Sequence, residues 1–269
     1  MTRARPALLP LLLLLPAAGP SAQAPAATAP EPKAAAAAPA PGGEVGKLIA
    51  AADAAYAVRE QPGKMDEVLR DLEAAEKLGP RSYEVLWRLS RYYYWLADDP
   101  KLPEAEKSRV GKRGWEIGDR AVEADPKRAE GWFYASAGVG NFSLAMGIVT
   151  ALFEGMESKY LDRLRKAQEI DPGFEHGAID ISWGRYYYSL PWPKYDAQKS
   201  EQFLQKALRQ NPSNVRVRVY LADLFLKEGH PEMAKRQLQK ALEVPESAYD
   251  AAEIRRYQEQ AREAFAKIK

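Results

Sequence analysis

The chain has 269 residues, 46% hydrophobic and 28% charged, enough apolar surface for one sizeable core or an elongated stack of helices. Its 39 lysines and arginines against 37 acids leave a formal charge of +2, a balance that excludes a strongly basic nucleic-acid surface. Cysteine is absent, which excludes a disulfide framework, thiolate metal ligation and a cysteine nucleophile.

Residues 1–24 carry Arg3 and Arg5, an apolar run from Ala7 to Ala18 with five consecutive leucines, and small residues around Ala22 and Ala24. This is the layout of a secretory signal peptide. Cleavage is expected after Ala24, or after Ala26 because Pro25 hinders the first site. The run is too short for a stable transmembrane helix, so the mature chain is expected to be exported, soluble and periplasmic. Residues 25–43 are nearly all alanine and proline, the composition of a disordered, semi-extended tether.

The folded domain is expected over 44–269. Apolar periodicity predicts helices at about 44–60 and 65–78, then 81–96 and 104–124. Residues 129–153 read as one long helix with Gly138, Gly140 and Gly147 inside it, which close packing against a helix or a ligand would explain. A helix over 157–170 follows. Further pairs are predicted at 174–189 with 197–210 and at 214–228 with 231–244. A last, mostly charged helix over 249–268 caps the array.

One phrase punctuates these helices: AAEKLGP, AVEADP, AQEIDP, ALRQNP and ALEVP, ending at Pro80, Pro126, Pro172, Pro212 and Pro245. Proline cannot continue a helix, so each phrase closes one and lets the chain turn into the next. The prolines are 46, 46, 40 and 33 residues apart, the last close to the tetratricopeptide period of about 34. Over 215–245, Leu221, Ala222, Phe225, Gly229, Ala234, Leu238 and Ala241 resemble that repeat. Trp183, Gly184 and Tyr187 hold corresponding large, small and aromatic positions. The expected fold is all-α, a tetratricopeptide-type α-solenoid of about five helical pairs plus a C-terminal capping helix.

A narrower resemblance covers residues 129–242, about half the mature chain. Trp132, Asn141, the DPGFEHGA turn from Asp171 to Ala178, Gly184, Arg185, Tyr187 and Pro191 are similar to the T component associated with TRAP (tripartite ATP-independent periplasmic) transporters. That resemblance implies a periplasmic lipoprotein that forms pore-containing homo-oligomers and docks a solute-binding protein. The chain departs from it in lacking the lipobox cysteine.

The residues offer little chemistry. The two histidines, His176 and His230, sit in turns with no acid or histidine at ligand spacing, and no nucleophile, phosphate-loop or dinucleotide motif is present. Neither enzyme activity, a metal nor a cofactor is expected. A binding role fits better, because the first helix of each pair lines the concave face of a solenoid. Placing those helices by Trp87, Trp132, Gly184 and Ala222 turns inward Arg88, Tyr92 and Trp95, then Phe133 and Asn141, then Arg185 and Tyr188, then Arg216, Asp223 and Lys227. Rings supply apolar area and guanidinium groups meet carboxylates, a mixture suited to an extended peptide or a small organic acid. Two classes follow: a transporter accessory protein with a cavity among Phe133, Asn141, Met146, Arg185 and Tyr188, or an envelope-assembly scaffold gripping a partner in an open groove.

Overall fold

The computed structural model describes residues 42–268; the expected leader and nearly all of the tether lie outside them. The described residues form twelve α-helices and a 3-10 turn, with no strand among them. The first two pairs are α1 (Gly43–Ala57) with α2 (Lys64–Leu78) and α3 (Tyr83–Ala97) with α4 (Glu104–Ala124). The third joins α5 (Ala129–Ala145) through the short α6 (Ile148–Phe153) to α7 (Met156–Ile170). Then come α8 (Phe174–Ser189) with α9 (Ala197–Gln210) and α10 (Val215–Lys227) with α11 (Pro231–Leu242). The cap, α12 (Ala251–Lys267), packs on α10 and α11. The architecture is an all-α, tetratricopeptide-type solenoid.

The recurring phrase acquires a physical meaning here. Its alanines Ala75, Ala121, Ala167, Ala207 and Ala241 are all fully buried. In the first four, the alanine carbonyl accepts the last backbone bond of its helix, from Gly79, Asp125, Asp171 and Asn211 at 2.9–3.0 Å. A small side chain lets the neighbouring helix close in while the carbonyl ends the ladder. Side chains cap the N-termini of α9, α10 and α12, where Asp196, Asn214 and Asp250 accept from the backbone N–H groups of Lys199, Val217 and Glu253.

The most extensive interface joins α4 and α5, and glycine creates it. Gly111, Gly114 and Gly118 share one face of α4. A methyl group on Gly118 would lie 2.7 Å from the Ala135 backbone, and one on Gly138 would lie 2.4 Å from the Trp115 amide nitrogen. The two backbones therefore touch without side chains between them. The glycines of 129–153 do not share one role. Gly138 and Gly140 are contact positions, the latter against the Tyr160 ring, whereas Gly147 has φ +90° and breaks the expected single helix into α5 and α6. That dihedral is open to glycine and hostile to other residues.

The start of α8 is also irregular. Glu175, His176 and Gly177 have φ of 43°, 54° and 103°, a left-handed turn before the regular helix begins. Gly177 abuts the backbone of Ala207, and the Tyr134 hydroxyl donates to Glu175 at 2.6 Å, so contacts on both sides hold the turn.

One apolar core runs from α1 to α8 and a second from α8 to α12. The two ends of the solenoid are also tied together. Arg59 donates to Asp250 at 2.6 Å, Tyr257 to Asp98 at 2.8 Å, Arg256 to the Trp95 carbonyl at 2.8 Å and Lys101 to Glu259 at 2.7 Å. Arg255 also pairs with Glu60. The cap thus spans the concave side and braces it.

Candidate interaction faces

The inner face is built from alternating cations and rings. One ladder runs Arg256, Trp95, Arg59, Tyr56, Arg91, Trp87 and Arg88, with each guanidinium 3.3–4.9 Å from the next ring centroid. A second begins with Lys227, Tyr188, Arg185 and Tyr220, at 4.2–4.5 Å. It passes through the Tyr220–Tyr257 ring pair to Arg216 and Tyr94. Stacking of this kind contributes about 0.5–2 kcal/mol per contact, most where water is excluded.

The carboxylates sit at the edges of the stacks. Asp53 accepts from Arg88 at 2.9 Å and from Arg91 at 2.9 Å. Buried Arg216 donates to Glu253 at 3.0 Å, lies 3.5 Å from Asp98 and bonds the Tyr94 hydroxyl. Arg185 meets Asp223 at 3.3 Å, and burial raises the Asp223 pKa. Burial pushes Asp98 up to about 7 in spite of Arg256 at 3.8 Å and the Tyr257 hydrogen bond. Among the described residues the exceptions to this pairing are few: Nε of Arg59, Arg91 and Arg216 is buried without an acceptor, as are Nε of Arg218 and the Asn141 amide nitrogen.

Of the ten residues expected to line the inner face, Arg88, Trp95, Arg185, Tyr188, Arg216, Asp223 and Lys227 join these ladders or their edges. Tyr92 and Phe133 are instead core residues. Tyr92 lies edge-on to Tyr93, and Phe133 sits among Tyr94, Tyr134 and Phe174. Adjacent positions on a helix diverge by about 100°, so in a run of three tyrosines one must turn inward. Asn141 is half-buried, and a methyl group on Gly111 would lie 3.3 Å from its Cβ. Buried Asp180 pairs with Lys206 at 2.9 Å and accepts from Gln210 at 2.5 Å. Sequence reasoning missed Arg59, Arg91 and Arg256. Arg256 is more than 160 residues from Trp95, and no local spacing announces that pairing.

The surface around α6, between α5, α7 and α8, is different. A cleft of about 90 Å³ opens there, lined by Leu144, Ile148, Ala151, Leu152, Met156, Tyr160 and Leu190, with Arg185 at its edge. Of the five residues expected around a cavity, only Arg185 lines it. Exposed apolar side chains gather beside it: Leu144 at 51%, Val149 at 53%, Phe153 at 89% and Trp192 at 87%. Val149 and Phe153 follow the lining residues Ile148 and Leu152 in sequence, and Trp192 lies two residues beyond Leu190. Lys194 fixes the Trp192 loop by pairing with Glu157 at 2.5 Å, a residue that also lines the cleft. Large apolar side chains clustered in water are uncommon on a monomer and mark interaction sites.

Among the described residues no group of three or more acids and histidines is placed to hold a metal, and no helix is long and apolar enough to cross a membrane. Residues 194–253 match the tetratricopeptide repeat family model, the region that holds α9 to α11. No curated protein matches the chain. A thermophilic TPR protein of Thermus thermophilus superimposes with a TM-score of 0.63 at 21% identity, over 82% of this chain and 99% of that one. It shares the fold. MamA protein aligns at 15% identity over 77% of this chain and 96% of its own, with a TM-score of 0.45. The flexible tandem repeat domain of bacterial cellulose synthase aligns at 18% identity over 82% and 93%, with a TM-score of 0.27. The repeat match is confined to residues 194–253, and the superposition shows a shared tetratricopeptide-type fold.

Proposed function

We propose that the protein is an interaction scaffold that docks a protein partner at the apolar cleft of α5 to α8. The observation that carries this reading is the exposure of Phe153 and Trp192, at 89% and 87%, beside an apolar cleft. The concave groove, the usual place for a peptide in a solenoid, is braced by its own cap. An apolar side chain from the partner fills the cleft, and the two aromatics close over its surroundings as binding anchors.

The finer reading is an exported accessory component of a TRAP-type transporter, with a periplasmic solute-binding protein as the partner. Its support is the resemblance of residues 129–242, the segment that carries the cleft, Phe153 and Trp192. The export signal read in residues 1–24 agrees with it. A photo-crosslinking residue at Phe153 or Trp192, introduced in the native host, tests both readings. Capture of a solute-binding protein at both positions, and not from Leu78 on α2, is the expected result. Capture of another envelope protein would sink the transporter role and leave the scaffold. Equal labelling from Leu78 would remove the docking face itself.

A further inference from the structure

We propose that the seam between α12 and the first two helical pairs is a gate: its polar ties release without unfolding any repeat, and the solenoid opens there to uncover its ring-lined inner face. The gate is separate from the apolar surface around α6 and does not depend on it.

Three observations converge. The first is where the apolar cores stop. Helices α1 to α3 contribute to the first core alone and α12 to the second alone, so neither core crosses the seam. A solenoid repeat is held by its own packing and by its nearest neighbours. The first pairs and the cap are not neighbours along the array, so their contact can part while every helical pair keeps its own. The second is the chemistry of the ties. They are ion pairs, hydrogen bonds and cation–ring stacks, made of groups that water solvates well once they separate. Several lie at the surface: the side chains of Lys101 and Glu259 are 66% and 57% exposed, and even in the deeper Arg59–Asp250 pair the acid is 39% exposed. Exposed pairs are individually weak and screened by salt, and polar contacts between units of one chain are the ones that move. The third is loose packing. A crevice of about 490 Å³ separates Met65 and Leu96 from Arg255 and Arg256, and one of about 590 Å³ lies between Pro100 and the side chains of Gln260 and Ala264. Interlocked helices leave no such spaces; here the edges meet through long side chains.

The test is a distance measurement across the seam. The chain has no cysteine, so spin labels on Gln61→Cys and Arg262→Cys, both exposed and one on each edge, report without background in dipolar spectroscopy of the full folded domain. Lys101→Ala, Arg255→Ala and Arg256→Ala combined should make a longer distance the main population, and about 1 M salt, where the Debye length is about 3 Å, should raise it further. A control pair on Gln239→Cys and Arg262→Cys, both on the side of the second core, should keep its distance. If the combined variant loses its helical circular dichroism, Lys101→Ala alone in about 1 M salt decides, and a longer population is expected there too. An unshifted seam distance in the folded variant overturns the gate. Lengthening of the control pair in step with the seam pair also overturns it, because the solenoid would then part only by unfolding.

Discussion

The inner face and the apolar surface around α6 are both rich in aromatic residues, and they use them in opposite ways. Inside, Trp95 lies between Arg59 and Arg256 at 3.9 and 3.3 Å, and Tyr220 contacts Arg185 and Tyr257. Outside, Phe153 and Trp192 are left almost wholly to solvent. The first set holds the two ends of the solenoid together. The second has no internal task, and that is why it is the docking candidate. An aromatic residue in a repeat array is therefore informative only once its partners are known.

The sharpest way to break this contrast is to remove a cation from the inner face. Arg216→Ala leaves Glu253 without its 3.0 Å partner and takes one of two arginines from Asp98, and loss of one partner of a buried pair costs about 3–5 kcal/mol. Denaturant unfolding should show that loss. If stability changes by less than about 1 kcal/mol, the ladders are ornament rather than brace. The apolar surface around α6 should behave in reverse. Phe153→Ala with Trp192→Ala should leave stability within about 0.5 kcal/mol, while each substitution weakens partner binding by about 2 kcal/mol or roughly 30-fold. A marked fall in melting temperature would show that these side chains pack after all.

The smallest effect is in pH. Asp98 is raised to about 7 by burial, so the folded state binds its proton more tightly than the unfolded state does. Its stabilisation is complete at pH below the ordinary carboxylate value and is lost as pH rises through 7. Between pH 6 and 8 that loss is about 1.4 kcal/mol. Asp98→Asn should remove this component, and an unchanged pH slope in the variant would contradict the assignment. The groups around Asp98 include Arg216, Arg256, Tyr257 and Glu253, with Arg185 and Tyr220 also acting on it, and none of the arginines titrates in that window.

Much of the fold was legible because its cues are local. The proline-terminated phrase marks helix ends, its alanine marks a buried contact, and 3.6-residue periodicity marks each apolar face. Those cues located α4, α8 and α9 to the residue and, α5 apart, every other long helix to within about three residues at either end. The single helix expected over 129–153 failed because one amino acid serves two purposes. Glycine permits both the backbone contact at Gly138 and the positive φ at Gly147, and spacing does not separate the two.

The candidate sites were less legible. Trp192 could be picked out between two prolines, and Arg88, Trp95, Arg185, Tyr188, Arg216, Asp223 and Lys227 by helical phase. Phe153 could not, since it reads as one more apolar residue of a buried run until the break at Gly147 starts a new helix. By itself the sequence determined most of the helices and their repeat, because these follow from contacts a few residues apart. Only the tertiary structure decided that Arg256 meets Trp95 and that Arg59 meets Asp250. Those pairs depend on how far the stacked repeats curve before the cap comes round to the first helix, a sum of small rotations that no single segment encodes.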